Sequence, residues 1–384
     1  MSNFTSDFAH GGQIYQFGRE KNDPIEKTLT HTLDFSASIN PIQPNVDWQA
    51  IIQNAQIAVQ HYPDSQQQAL KLAIGNRFQL PLEQITLTNG ISSAIISLFS
   101  ELKPDTTLLF TPIYSEYRRA AERYSGNTLE VMFRFSEEGL SESLLQQIDG
   151  LTENSVVVLV NPSTPQGHYQ LPETLAPLLE HLRHKNCWVL VDESFLPFIG
   201  FAEQYSVRSQ LQQHSKRVVL QSLTKYYACP GVRIGALFTA AHALDKMTWP
   251  SWPLSVLDEQ FLLQALADPQ HERNTHNFLQ TERPRFISAL SACDLIESVE
   301  DSMTNFVLVR TRIKASRLVE CLARANILIR DCENFGLGET TCRIAIQSAE
   351  NNHRLIQALQ QNRQLLATKP SLSPSSTPPL SEPK

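Results

Sequence analysis

The chain has 384 residues, 41% hydrophobic and 18% charged, an ordinary globular composition at a length beyond the roughly 250–300 residues where single cores stop growing, so two compact domains are expected. A net charge of −7, a pI near 5.9 and the lack of any dense Lys/Arg run leave no basic field for a phosphate backbone, and nucleic acid is not an expected partner. No apolar stretch approaches the roughly 18 residues needed to cross a bilayer, and MSNFTSDFAHGG lacks a basic segment followed by an apolar run, so the protein reads as cytoplasmic with no membrane partner.

In chain order, the first 40 residues carry HGG at 10–12 and open DFSASINP at 34–41, and HYPD follows at 61–64. The β-rich run ITLT (85–88) leads into TNGISSAI and an apolar helix. The backbone amides of Gly90, Ile91 and Ser92 then fall at a helix N-terminus, where a phosphate is favoured. TTLLF (106–110) is followed by TPIYSEY, which supplies Tyr114 and Tyr117, and SVVVLV (155–160) by NPSTPQG. Between Leu171 and Leu182, Leu175, Leu178, Leu179 and Leu182 keep the i, i+3, i+4, i+7 spacing of one buried helix face, and Pro172 suits a first turn. CWVLV (187–191) runs into Asp192, and RVVLQSL (217–223) into TKYYACPGVRIGAL. Strand runs separated by crossover-length segments from about 85 to 240 predict an α/β fold with a mostly parallel sheet flanked by helices.

After about residue 270 the rhythm becomes helix, strand (NFVLVR), helix (RLVECLARAN), strand (ILIR), strand (RIAIQ) and a last helix near 351–362, a smaller α+β domain. The expected division is an N-terminal segment (1–40) joining the small domain, a large domain (41–270), the small domain (271–365) and a tail (366–384). The tail is rich in Pro and Ser, nearly free of apolar residues, and expected to be disordered. Six cysteines without a CxxC pair and eleven histidines without HExxH suggest free thiols and no metal site.

The chemistry gathers just beyond RVVL. Ligands of open α/β sheets collect at the carboxyl ends of strands, and there Lys225 can condense with an aldehyde while Ser222 and Arg233 offer a hydroxyl and a fixed cation to a phosphate. A surface lysine and a structural ion-pair arginine are the bland alternatives. The spacing, Ser three before the lysine and Arg eight after it, followed by Gly235, resembles fold-type-I pyridoxal-phosphate enzymes of the aminotransferase superfamily.

That resemblance implies pyridoxal 5′-phosphate as cofactor, carried on Lys225, with a large cofactor-binding domain. It makes Asp192 the partner of the pyridinium nitrogen, with a turn cap as the alternative, and Gly90, Ile91, Ser92, Ser222 and Arg233 the phosphate site. Tyr114 would stack on the pyridine ring, with Tyr117 as fallback. NPSTPQG departs from the usual NPNNPTG, so Thr164 stands where an asparagine normally reaches the cofactor's 3′-oxygen, and Asn161 is expected to be structural. Tyr62 of HYPD would cross a homodimer interface to the partner's cofactor phosphate.

HGG, DFSASINP and ILIRDCENF together resemble the threonine-phosphate decarboxylases of cobalamin biosynthesis, relatives of histidinol-phosphate aminotransferase. The resemblance implies a small phosphorylated amino acid as substrate, with His10 and Arg330 at its phosphate and Arg343 at its carboxylate. An untethered chain end is the alternative for His10, and ion pairs with Asp331 or Glu333 for the arginines. Ser38 replaces an asparagine near the substrate and Gln347 a common arginine, so serine phosphate is a second candidate substrate. The competing readings are a histidinol-phosphate aminotransferase and a non-catalytic binding protein of the same fold.

Overall fold

The computed structural model describes residues 10–132 and 140–366, and the tail read as disordered lies outside them apart from Leu366. Of the N-terminal segment, β1 is Leu33–Asp34. The main sheet then takes β2 (Ile85–Thr88), β3 (Thr106–Thr111), β4 (Asn127–Met132), β5 (Val156–Val160), β6 (Trp188–Asp192), β7 (Arg217–Ser222) and β8 (Gly235–Thr239) in the order β2-β8-β7-β6-β5-β3-β4. Every neighbouring pair from β7 to β4 is parallel, and only β8 runs against the rest. The mostly parallel α/β sheet expected from the sequence is thus present, with two strands more than its apolar runs announced. β4 is an exposed edge strand with polar residues, and β8 begins at a glycine directly after the Arg233 loop.

The central strands are continuous apolar runs because both faces are covered. Val156 and Val158 of β5 pack in one cluster with Ile95, Leu98 and Phe99 of the helix Gly90–Leu102. Val157 and Leu159 pack in the other with Leu175, Leu178, Leu179 and Leu182 of the helix Pro172–His184. Those four leucines are at most 1% exposed, and each contributes about 2 kcal/mol of burial. No helix among the described residues is long and apolar enough to cross a membrane.

A second, antiparallel sheet takes β9 (Ile296–Val299), β10 (Phe306–Thr311), β12 (Arg330–Asp331) and β13 (Thr341–Ala345) in the order β12-β13-β10-β9. The run ILIR, expected as one strand, is divided at Ile329. Its first part, β11 (Ile327–Leu328), pairs in parallel with β1, while Arg330 begins the pairing with β13. The division follows from the backbone. Phe35 donates its N–H to Leu328 O and accepts at its own carbonyl from Ala345 N, so the N-terminal segment takes the partners a continuous strand would have used.

Candidate active site

Parallel strands end on one edge of a sheet, and here Thr88, Thr111, Val160, Asp192 and Ser222 close β2, β3, β5, β6 and β7 on that edge, with Gly235 opening the antiparallel β8 beside Ser222. The side chains singled out in the sequence therefore converge although they lie far apart in the chain. Asp192 is buried: its Oδ2 accepts from Tyr117 Oη at 2.9 Å and its Oδ1 from the Ser194 N–H at 2.9 Å. Each oxygen retains a further lone pair, so the carboxylate can hold one more donor. Lys225 lies over the Phe195 ring, Nζ 5.2 Å from its centroid. Burial pushes its ammonium down to about 8, and Arg343 and Arg233 add to the effect while Asp192 opposes it.

The edge where β2 and β8 meet the helix Gly90–Leu102 is shaped by close approach. Gly90 has φ +70°, and a Cβ there would stand 2.8 Å from Arg233 Nη2; a Cβ on Gly235 would stand 2.8 Å from Ile91 N. Only hydrogen at both positions lets Arg233, β8 and the first turn of Gly90–Leu102 meet. The N-cap residue of that helix, Asn89, makes no side-chain cap, which leaves the first-turn amides without a side-chain acceptor. Arg233 is exposed and, among the described residues, bonds only the Pro230 carbonyl through its guanidinium. Helix amides, an uncommitted guanidinium and the buried Ser222 hydroxyl fit a bound phosphate. With Asp192 and a lysine of lowered pKa on the same edge, the residues present fit pyridoxal 5′-phosphate.

Tyr114 is half-buried, with its Oη 3.1 Å from Ser92 Oγ, and burial raises its pKa. Tyr117, the fallback for the stacking ring, has a different place: fully buried beneath Asp192, its hydroxyl bonds the carboxylate. Asn161 is structural, since its amide donates to the Gln170 carbonyl and accepts from the Gln170 N–H. Thr164 is buried, and its Oγ1 accepts from Arg343 Nη1 at 3.1 Å. Tyr62 stands apart from these groups, 80% exposed and stacked on Trp252 at 4.6 Å.

Arg330 and Arg343 are direct cross-strand partners on β12 and β13. Like charges placed opposite each other are unfavourable without an anion. Arg343 Nη2 donates to Ser36 O at 2.9 Å, its Nε has no partner among the described residues, and burial, with Arg330 adding, pushes the guanidinium down to about 10. Arg330 bonds the Asp331 carbonyl oxygen and Asn334 Oδ1, and burial lowers its pKa as well. His10 is tethered: Nε2 lies 3.0 Å from Glu116 Oε1, Nδ1 3.2 Å from Ser115 Oγ, and its ring 5.4 Å from that of Tyr114. Ser38 is buried with its hydroxyl unpartnered among the described residues, and Gln347 donates to the Asp34 carbonyl.

Several residues of the site were not singled out in the sequence. Ser194 donates its N–H to Asp192 and accepts the Ser222 N–H at 3.0 Å, tying two strand ends together. Glu116 anchors His10, and Asp34, whose carboxyl burial raises, orients Ser36. Glu116 lies inside TPIYSEY, Asp34 opens DFSASINP, and Ser194 follows Asp192 by two positions.

The sequence profile of the family "Aminotransferase class I and II" matches residues 30–359. A threonine-phosphate decarboxylase from Salmonella typhimurium is 31% identical over 359 residues, 92% of this chain and 96% of its own. The structure of the histidinol-phosphate aminotransferase from Clostridium acetobutylicum superposes with a TM-score of 0.77 at 26% identity, covering 87% of this chain and all of that one. That of the Sinorhizobium meliloti histidinol-phosphate aminotransferase in complex with pyridoxal-5′-phosphate gives 0.74 at 18% identity, covering 92% of this chain and 94% of that one.

Proposed function

Because this chain belongs to the class I and II aminotransferase family, whose members use pyridoxal 5′-phosphate, we propose that it decarboxylates a small phosphorylated amino acid, L-threonine O-3-phosphate first and serine phosphate second. The observation that carries the reading is the cross-strand pair of buried Arg330 and half-buried Arg343: two cations on one ladder suit a substrate with two anionic ends.

Pyridoxal phosphate supplies, when bound, an aldehyde for the amines and a protonated ring that withdraws electrons from the bond being broken. Lys225 would carry it and Asp192 would keep the ring nitrogen protonated, while Arg233, Ser222 and the amides of Gly90, Ile91 and Ser92 would hold its phosphate. Tyr114 lies at the same strand edge to cover the ring. Arg330 and His10 would take the substrate phosphate and Arg343 its carboxylate, and that two-point hold decides which bond at Cα is presented for cleavage. Lys225, with a pKa of about 8, is suited to return a proton to Cα once carbon dioxide has left, giving (R)-1-aminopropan-2-yl phosphate. Cobalamin biosynthesis is the setting that this product implies.

Tyr62 makes its ring contact with Trp252 rather than with the groups at the strand ends of its own chain. Its exposed ring, with Ile57 and Val59 exposed nearby in sequence, suits a homodimer in which it reaches the other copy's cofactor phosphate.

The alternative is histidinol-phosphate aminotransferase activity, favoured by the structural likeness and sharing Lys225, Asp192, Arg233 and Arg330. The test is an assay of cofactor-loaded protein with threonine phosphate, serine phosphate, and histidinol phosphate plus 2-oxoglutarate, following carbon dioxide and glutamate separately. Carbon dioxide without glutamate is expected; glutamate without carbon dioxide would make the protein an aminotransferase.

A further inference from the structure

Ser194 joins the residues proposed for the ring nitrogen and for the phosphate of the cofactor. Asp192, the last residue of β6, accepts the Ser194 N–H at 2.9 Å, and Ser222, the last residue of β7, donates its own N–H to Ser194 Oγ at 3.0 Å. β6 stops where β7 still has a donor to place. Glu193 gives its N–H to Leu220 O at 2.8 Å, and the N–H of Ser222, two residues on, meets a side chain instead of a strand. The Ser194 hydroxyl thus continues the ladder beyond the end of β6.

The turn that presents this hydroxyl is pinned beside it. Fully buried Glu193 accepts from Ser206 Oγ and from the Val207 N–H through its carboxylate, and from the Leu196 N–H through its carbonyl. Ser194 and Ser222 are each 4% exposed, so a Ser222 N–H deprived of its acceptor would be a buried, unsatisfied donor, which the backbone relieves by shifting. Ser222 Oγ lies 3.1 Å from Thr224 Oγ1 and keeps hydrogen-bonding capacity for a phosphate oxygen. An alanine at 194 would remove the acceptor for Ser222 yet keep the main-chain N–H that Asp192 uses, so the two contacts are separable at this one residue.

We propose that Ser194 is a positioning residue for the cofactor phosphate: its hydroxyl fixes the backbone of Ser222 and thereby the Ser222 hydroxyl, while its N–H serves Asp192 independently. The inference rests on the reading of Ser222 as a phosphate ligand.

The experiment titrates cofactor-free protein with pyridoxal 5′-phosphate and with pyridoxal, which has the aldehyde and the ring but no phosphate, and follows visible absorbance. Ser194→Ala is expected to weaken the first ligand about 10-fold, the scale of one hydrogen bond to a charged group, and the second less than about twofold. Ser222→Ala is expected to act in the same sense, and the double variant to bind no more weakly than Ser222→Ala alone, because both changes remove one contact. Equal weakening of both ligands by Ser194→Ala, losses that add in the double variant, or a Ser194→Ala chain that circular dichroism shows unfolded would each overturn the proposal. If Ser222→Ala does not discriminate between the ligands, Ser222 is not at the phosphate and the proposal fails with that reading. If Ser222→Ala discriminates and Ser194→Ala does not, the role of Ser194 alone is refuted.

Discussion

At Lys225 burial lowers the pKa of a common side chain toward the range where its amine is uncharged. Only the uncharged amine attacks an aldehyde, and burial brings its pKa from the ordinary 10.5 to about 8. The rate at which cofactor-free protein captures pyridoxal phosphate should therefore rise about tenfold per pH unit below 8 and level off above it, as stopped-flow absorbance would show; a rise continuing to pH 10 would contradict the lowered value. Lys225→Ala should abolish both the absorbance and turnover. Tyr117 is the second test at this scale. Burial, then the Asp192 charge, raises its pKa well above the ordinary phenol value, so it remains a donor to the carboxylate at all working pH values. Tyr117→Phe should leave Asp192 short of one bond and reduce kcat about 10-fold or more with little change in KM, as steady-state kinetics would show. Lys225, Asp192 and Arg233 were legible because each lies next to an apolar strand run. Tyr117 was read only as a ring, because nothing local says that its hydroxyl meets a residue 75 positions away.

At the scale of elements, the strands visible in the sequence were those written as apolar runs without an intervening glycine loop. The apolar runs of β5, β6 and β7 mark themselves, whereas edge strand β4 mixes polar and apolar residues and β8 needs the Arg233 loop to place it. The meeting of β8 with the helix Gly90–Leu102 is equally invisible in the sequence and depends on Gly235. Gly235→Ala would drive a Cβ to 2.8 Å from Ile91 N, and backbone on both sides must then give, at a cost of about 1–3 kcal/mol. The expected outcome is a folded protein by circular dichroism whose cofactor affinity falls at least about 10-fold, since that displacement falls on the amides proposed to hold the cofactor phosphate. Full retention of affinity would show that the first turn is not the cradle.

Across the whole molecule, stability at low pH should depend on a group remote from the site. His214 is buried, neither ring nitrogen has a partner among the described residues, and burial, with Arg217, Arg183 and Lys216 adding, lowers its pKa from 6.5 to about 4. The unfolded chain then binds a proton that the folded one refuses between pH 6.5 and 4, so the contribution is whole above about 6.5 and lost as pH falls toward 4. Thermal unfolding should drop by several degrees over that window, and His214→Phe should flatten the drop; an unchanged slope would exclude His214 as its source.

The sequence by itself determined the alternation of strands and helices, the leucine face of the helix Pro172–His184 and the strand-end words, because burial and backbone preference act over a few neighbouring residues. Only the tertiary structure decided that ILIR divides between two pairings, that Arg330 faces Arg343, and that Thr164 turns to Arg343. The first and last depend on which distant segments claim each donor and acceptor, since partners more than a hundred residues apart leave no periodicity to read, and the pairing of Arg330 with Arg343 depends on the register of β12 against β13.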